Sequence, residues 1–125
     1  MKKVLLVLFA IIASTMFFTS CKDDDEINEE NISGKWNVTQ FNANGSWSNV
    51  ASGVMYAKFN SDNTYQSKDH SSIYSGTWRL EGEVVKCNVS GVYVTYTILD
   101  FNSKSGTFEV KEPGYNAYSI KATKE

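Results

Sequence analysis

The sequence predicts an all-β domain, an eight-stranded antiparallel up-and-down barrel, preceded by a signal peptide and a disordered acidic tether. Three observations lead to this prediction. Apolar and polar residues alternate with a period of two from residue 33 onward, and no helical periodicity is visible there. Clusters of Gly, Asn, Asp and Ser separate the alternating runs, as turns separate strands. An apolar stretch opens the chain, and a cysteine and acidic residues follow it directly.

Residues 1–20 resemble a bacterial lipoprotein signal peptide. Two lysines precede an apolar run over 4–18, which is shorter than the roughly 20 residues of a membrane-spanning helix. A retained membrane helix is therefore the less favoured alternative. Small residues then lead to Cys21, the residue that such a signal presents for acylation with palmitate and related chains. We expect a lipid anchor at Cys21 and a location in the cell envelope, at the outer membrane.

Residues 21–31 are predicted to form the tether, because they carry six acidic side chains and like charges keep a chain solvated and extended. This segment is either a spacer that lifts the domain off the membrane or a signal for the cell surface. The second alternative rests on a resemblance to signals in one group of anaerobic Gram-negative bacteria, in which a lysine and acidic residues follow the cysteine. The folded domain is expected to cover 32–125.

Length and charge restrict the function classes. From Asn31 to the end, 95 residues carry nine basic and eight acidic side chains, so the domain is nearly neutral. This length makes one domain. Arg79 is the only arginine in the sequence and no basic stripe is present, so no nucleic-acid binding is expected.

Eight alternating runs are predicted to be strands, and the turns between them are short enough that consecutive strands must be antiparallel neighbours. A meander of this kind leaves two exposed edges unless it closes, and closure produces a barrel. A two-sheet sandwich is the alternative, but its crossovers need longer connections. The predicted strands are 33–41, 54–60, 63–69, 74–81, 84–90, 92–100, 106–112 and 117–123.

Each strand has its own signal in the sequence. The first begins at a Gly-Lys-Trp sequence, and the next two flank the turn formers at 60–63. The strand at 92–100 is apolar on both faces, so either Tyr93 lies in the barrel and Tyr96 faces a neighbour, or the strand forms a partner interface. The remaining strands separate an apolar face from a polar one. Their predicted inward residues are Tyr74, Gly76, Trp78, Leu80, Val85, Cys87, Val89, Phe108, Val110, Tyr118, Ile120 and Ala122.

No catalytic or metal-binding constellation is visible, so we expect neither an enzyme nor a cofactor or metal. His70 is the one histidine and lies in a polar, turn-like stretch. Cys87 follows the inward phase of its strand and is expected to be a small buried side chain rather than a nucleophile. Glu81 and Glu83 flank a turn glycine, where solvated carboxylates are the ordinary interpretation.

Three sequence elements together resemble the short lipocalin-like domains of bacterial envelope lipoproteins. They are Gly34-Lys35-Trp36, the hairpin from Phe59 to Tyr65, and Gly76-Thr77-Trp78. The resemblance covers most of 32–123. It implies that Trp36 closes one end of the barrel, with Gly34 allowing close backbone approach.

Two features of the main lipocalin family are missing. Lipocalins stack a late arginine on the first-strand tryptophan, and here Lys121 or Lys124 is the nearest substitute. The Thr-Asp-Tyr motif is absent as well. The chain is therefore expected to lie outside the main family.

The resemblance implies non-enzymatic binding of a small apolar or glycan ligand at the open end of the barrel. Trp47, in the long first loop, is expected to be a stacking platform or lid for the cavity, or alternatively a plug in the barrel mouth. Trp36, Tyr74, Trp78 and Tyr118 complete the candidate site. We expect these aromatic residues to fill most of the interior. A filled barrel would favour the alternative function, a protein-partner module that acts as an inhibitor or assembly factor.

Overall fold

The computed structural model describes residues 26–125, so the predictions for the signal peptide and for Cys21 lie outside the described residues. Within this range, one short helix precedes nine strands. The elements are α1 (Glu29–Ile32), β1 (Gly34–Asn42), β2 (Ser48–Asn49), β3 (Met55–Phe59), β4 (Thr64–Asp69), β5 (Ser72–Glu81), β6 (Val84–Val89), β7 (Val92–Asn102), β8 (Ser105–Lys111) and β9 (Tyr118–Lys124).

Eight of the nine strands in residues 26–125 form a closed antiparallel barrel. β1 pairs with β3, the strands from β3 to β9 each pair with the next, and β9 returns to pair with β1. The two-residue strand β2 lies outside this circuit and pairs with the end of β1, where Gln40 is opposite Asn49. The predicted up-and-down barrel is confirmed, because each short turn joins strands that are neighbours in space.

The hairpin between β3 and β4 is fixed to β5 by the indole ring of Trp78. Asp62 Oδ1 accepts hydrogen bonds from the Thr64 amide at 3.0 Å and from its hydroxyl at 2.6 Å, which shapes the turn. Asn63 follows with a left-handed φ of 68°. Trp78 Nε1 donates to the Asn60 carbonyl at 2.9 Å. Two of the elements behind the lipocalin-like resemblance therefore form one hydrogen-bonded unit.

The closed half of the barrel is filled with aromatic rings. Trp36 is 1% exposed, and its ring centre lies 5.9 Å from that of Phe101 and 5.4 Å from that of Phe108. Phe59 packs against Trp78 with ring centres 5.5 Å apart. Burial of these side chains removes a large apolar area from water and provides the main stabilisation of the fold.

A shift in the strand register of β7 explains why Ile98 and Phe101, three positions apart, both face the core. The register with β8 shifts between Ile98 and Asp100, and Leu99 at the shift is 57% exposed. Ile98 and Phe101 are both buried as a result. A β-bulge changes the inward phase of a strand in this way.

Earlier in β7 the inward phase selects Tyr96, which is 7% exposed, and Tyr93 is 50% exposed. The alternative that places Tyr93 inside and Tyr96 outside is wrong, because Tyr96 shares the inward phase with Val94 and Ile98.

The helix α1 seals the closed end. Asn28 caps it by accepting a hydrogen bond from the Asn31 amide at 2.8 Å, and Ile32 is fully buried. The Ile32 carbonyl accepts from Trp36 Nε1 at 2.8 Å. Sequence reasoning missed this element, because one helical turn is too short to show a periodicity. The C-terminal part of the tether predicted over 21–31 therefore overlaps α1.

Gly76, in β5, packs directly against the backbone of β6 at Asn88. A Cβ atom added there would lie 1.9 Å from the Asn88 carbonyl oxygen, well inside van der Waals contact. No side chain larger than hydrogen fits without a backbone shift. The glycine of the Gly-Thr-Trp sequence is therefore required by the barrel itself.

In the described part of the chain, no helix is long and apolar enough to cross a membrane.

Candidate functional site

The open half of the barrel contains a chamber of about 300 Å³ that continues into a wider vestibule of about 790 Å³ at the mouth. The expectation of a mostly filled interior is thus correct for the closed half and wrong for the open half. The large rings occupy one end, while valine, alanine and isoleucine line the other. The chamber wall includes Val38, Ala57, Val89, Val94, Val110 and Ile120.

Two tyrosine hydroxyls lie at the inner end of the chamber. Tyr65 and Tyr96 are 3% and 7% exposed, and their hydroxyl oxygens are 2.5 Å apart. Burial raises the pKa of both phenols well above the usual value, so both are neutral at physiological pH. Ser67 also lines the chamber. Because neutral hydroxyls donate and accept, this floor can bind a polar atom of either type.

The rim of the chamber combines tyrosines with carboxylates. Tyr118 donates a hydrogen bond from its hydroxyl to Glu112 Oε2 at 3.1 Å. Burial is the largest cause of the raised pKa of Tyr118, and the negative charges of Glu112 and Asp69 raise it further. Asp69, at the end of β4, and Glu112, just after β8, line both cavities together with Tyr118. Tyr74 and Tyr115 complete the rim of both cavities.

Of the residues that the sequence predicts for the site, Tyr74 and Tyr118 line the chamber and the vestibule. Trp36 and Trp78 are buried in the packed, closed half and line neither of these cavities. Trp47 also lines neither cavity: it is 38% exposed and Lys121 Nζ lies 4.6 Å from its ring centre. The structure therefore places Trp47 on the outer wall, and the lid and plug positions are not observed.

Sequence reasoning missed four residues that define the chamber. Tyr65 and Tyr96 form its floor, and Asp69 and Glu112 its rim. A signal for Tyr65 and Asp69 was present in the period of two, because residues 65, 67 and 69 share the inward face of β4. Glu112 lies beyond β8, and nothing in the sequence pattern places it at the mouth.

Cys87 is fully buried, which confirms the prediction of a small core side chain. Burial also raises the pKa of its thiol far above the usual value. Within residues 26–125, no three His, Cys, Asp or Glu side chains lie close enough together to hold a metal ion.

The fold resembles that of a solved structure, a lipocalin-like protein from Bacteroides uniformis. The two superpose with a TM-score of 0.57 at 14% sequence identity, over 76% of this chain and 99% of the other. The fold is therefore a lipocalin-like barrel. No protein-family model matches the sequence. No curated protein matches it either.

Proposed function

We propose that this protein is a lipid-anchored protein of the cell envelope that binds a small, largely apolar molecule in the open half of its barrel, without a catalytic role. The observation that carries the proposal is the chamber of about 300 Å³ beneath an open mouth. Pockets of this size accommodate small organic ligands. The aliphatic walls favour an apolar ligand over a glycan, because they offer no partners for a ring of sugar hydroxyls.

The ligand position follows from the two ends of the chamber. Its apolar body would contact the valine side chains, and one polar atom would hydrogen-bond to the Tyr65 and Tyr96 hydroxyls. A buried polar atom of the ligand then has a hydrogen-bond partner. The aliphatic wall alone could not provide one.

A neutral fluorescent probe, N-phenyl-1-naphthylamine, tests this function. We expect saturable fluorescence enhancement with the wild-type protein and a loss of about tenfold or more in affinity with Val94→Phe, whose ring would occupy the chamber. Thr97→Phe is the matched control, because residue 97 lines neither the chamber, the vestibule nor the external groove. No saturable binding by the wild-type protein, or equal effects of the two variants, would reject the proposal. Native mass spectrometry of protein purified from its own envelope would then identify a retained ligand.

The anchor is a separate part of the proposal and rests on the sequence around Cys21. Labelled palmitate should be incorporated into the wild-type protein in a bacterial host, and the Cys21→Ser variant should remain unlabelled and leave the membrane fraction. The Cys87→Ser variant is the control, since Cys87 is buried in the barrel. Equal labelling of wild type and Cys21→Ser would contradict the anchor.

A second candidate function, a protein-partner module, is supported by aromatic residues on the outer wall. Tyr93 is 50% exposed and Tyr115 is 77% exposed, and both line an external groove of about 320 Å³. Exposed aromatic surface of this kind marks contact sites. A partner that copurifies from the envelope should be lost with Tyr93→Ala and retained with Val94→Phe, and the reverse result would favour the ligand function.

A further inference from the structure

We propose that the mouth of the chamber selects ligands that carry a positive charge. The bound molecule would then be an apolar molecule with a primary or quaternary ammonium group. This inference rests on the proposed ligand-binding function and adds the chemical class of the ligand. The geometry behind it is the convergence of two carboxylates and three tyrosine rings at the rim.

The rim carboxylates are available to a ligand. Within residues 26–125, neither Asp69 nor Glu112 forms an ion pair with a lysine or arginine. The partner of Asp69 is His70, whose Nδ1 lies 2.6 Å from its Oδ1. The Glu112 carboxylate accepts a hydrogen bond from the Tyr118 hydroxyl, and a carboxylate has capacity for several more.

Two basic side chains, Lys68 and His70, lie near the mouth, and within residues 26–125 neither forms an ion pair with Glu112. Lys68 contributes to the lining of the chamber, but its ammonium group donates to the Gly53 carbonyl at 3.0 Å. His70 lines the vestibule, is exposed and faces Asp69 rather than Glu112. Arg79 lines neither cavity. An anionic ligand would therefore meet two carboxylates at the rim without a guanidinium to balance them.

The tyrosines supply the second feature of a cation site. Tyr74, Tyr115 and Tyr118 line the vestibule on its way into the chamber. The face of an aromatic ring attracts an ammonium group, and aromatic residues grouped around a cavity are a general means of binding quaternary ammonium ions. Carboxylates at the same rim add a direct Coulomb attraction.

The position of these groups also avoids a desolvation penalty. Asp69 is 57% exposed in its side chain, so a ligand cation beside it would remain hydrated on one side. The apolar part of the ligand would meanwhile lie against the aliphatic walls of the chamber below. A charged group costs least when its apolar stem is buried and its head stays in water.

Two ligands of nearly the same shape provide the test: benzyltrimethylammonium and its neutral isostere neopentylbenzene. Titration calorimetry on the wild-type protein should give an affinity about tenfold higher for the cation. The double variant Asp69→Asn/Glu112→Gln should weaken binding of the cation about tenfold and leave the neutral ligand unchanged. Added NaCl should act in the same direction, because it screens the rim charges.

The control variant is Glu83→Gln, which removes a carboxylate from the β5–β6 turn at the closed end and should change neither affinity. Circular dichroism would verify that the variants are folded. We expect them to fold, because the substituted side chains lie at the exposed rim. Equal affinities for the two ligands, unaffected by the rim substitutions, would overturn the charge selectivity and leave the proposed ligand binding intact. If neither ligand nor N-phenyl-1-naphthylamine binds, both proposals are rejected.

Discussion

Lys124 Nζ lies 5.7 Å from the centre of the Trp36 ring and donates a hydrogen bond to the Asn31 carbonyl at 2.9 Å. The same side chain covers Gly34, where an added Cβ atom would lie 2.7 Å from Lys124 Cε. The last strand, the first strand and α1 are thereby joined at the closed end. Of the two lysines that could stand in place of the lipocalin arginine, it is Lys124 that covers Trp36.

Replacement of Lys124 by methionine should lower the free energy of unfolding by about 1–2 kcal/mol, because it removes a hydrogen bond to a backbone carbonyl and a cation from the Trp36 ring. Lys124→Arg should retain most of the stability, since a guanidinium stacks well on an indole. Urea denaturation measures both effects. Lys104→Met, at an exposed turn, is the control. Equal stability of Lys124→Met and wild type would show that the contacts of Lys124 contribute nothing to the free energy of unfolding.

Gly76→Ala should be severely destabilising, by about 3 kcal/mol or more, because its methyl group would overlap the Asn88 carbonyl oxygen. Gly82→Ala offers a comparison in which nothing lies near the added atom and the cost comes from a φ of 62° alone. We expect that variant to lose only about 1 kcal/mol in thermal unfolding. The idea fails if the two alanines are equally destabilising.

Trp78→Phe should cost more than Trp47→Phe, although the two changes are chemically the same. Trp78 loses the hydrogen bond from Nε1 to the Asn60 carbonyl in a packed environment, worth about 1–3 kcal/mol. Trp47 lies on the outer wall against Lys121 and should change stability by less than about 0.5 kcal/mol. Chemical denaturation of both variants provides the measurement, and a larger loss for Trp47→Phe would contradict the assigned positions.

High pH should destabilise the barrel through Tyr65 and Tyr96. Their pKa values are raised in the folded state by burial, so above about pH 10 the unfolded chain releases protons that the folded chain keeps. Stability is therefore fully present below about pH 10 and falls as the pH rises further. The variant Tyr65→Phe/Tyr96→Phe should show a shallower fall in denaturation midpoint than wild type, while Tyr93→Phe, at an exposed position, should follow the wild-type curve. Identical curves for all three proteins would exclude these tyrosines as the cause.

The thiol of Cys87 should be protected from modification in the native protein. It is fully buried and its pKa is raised by burial, so the reactive thiolate is scarce. A thiol-reactive chromogenic disulfide should react with the Cys21→Ser variant only on unfolding in denaturant. Rapid native labelling, with Cys21→Ser/Cys87→Ser as the blank, would show that β6 opens readily.

The closed half was more predictable from sequence than the open half, for a physical reason. Trp36, Trp78 and Phe108 follow a strict period of two, and their size requires burial, so pattern alone assigns them to the core. The chamber depends on what the opposite walls leave unfilled, which no local pattern records. Its floor illustrates this, because Tyr65 and Tyr96 are 31 residues apart in the chain and meet through pairing of intervening strands.

The sequence did not predict the outward position of Trp47, because a loop lacks the alternation that indicates which side chains of a strand face the core. The same applies to α1, whose single turn is held by Trp36 and Lys124 rather than by helical propensity. Contacts with lysines of the last strand contribute to the position of both segments, and these contacts are visible only in three dimensions.

The proposed anchor at Cys21 gives the position of α1 at the closed end a directional consequence. The Glu26 carbonyl accepts a hydrogen bond from the Asn31 side chain at α1, and four residues separate Glu26 from Cys21. Such a segment spans at most about 18 Å. With acyl chains on Cys21, the packed base of the barrel would stand next to the lipid headgroups and its entrance would point away from the bilayer. A ligand would then enter the chamber from the aqueous side rather than by diffusion within the membrane leaflet.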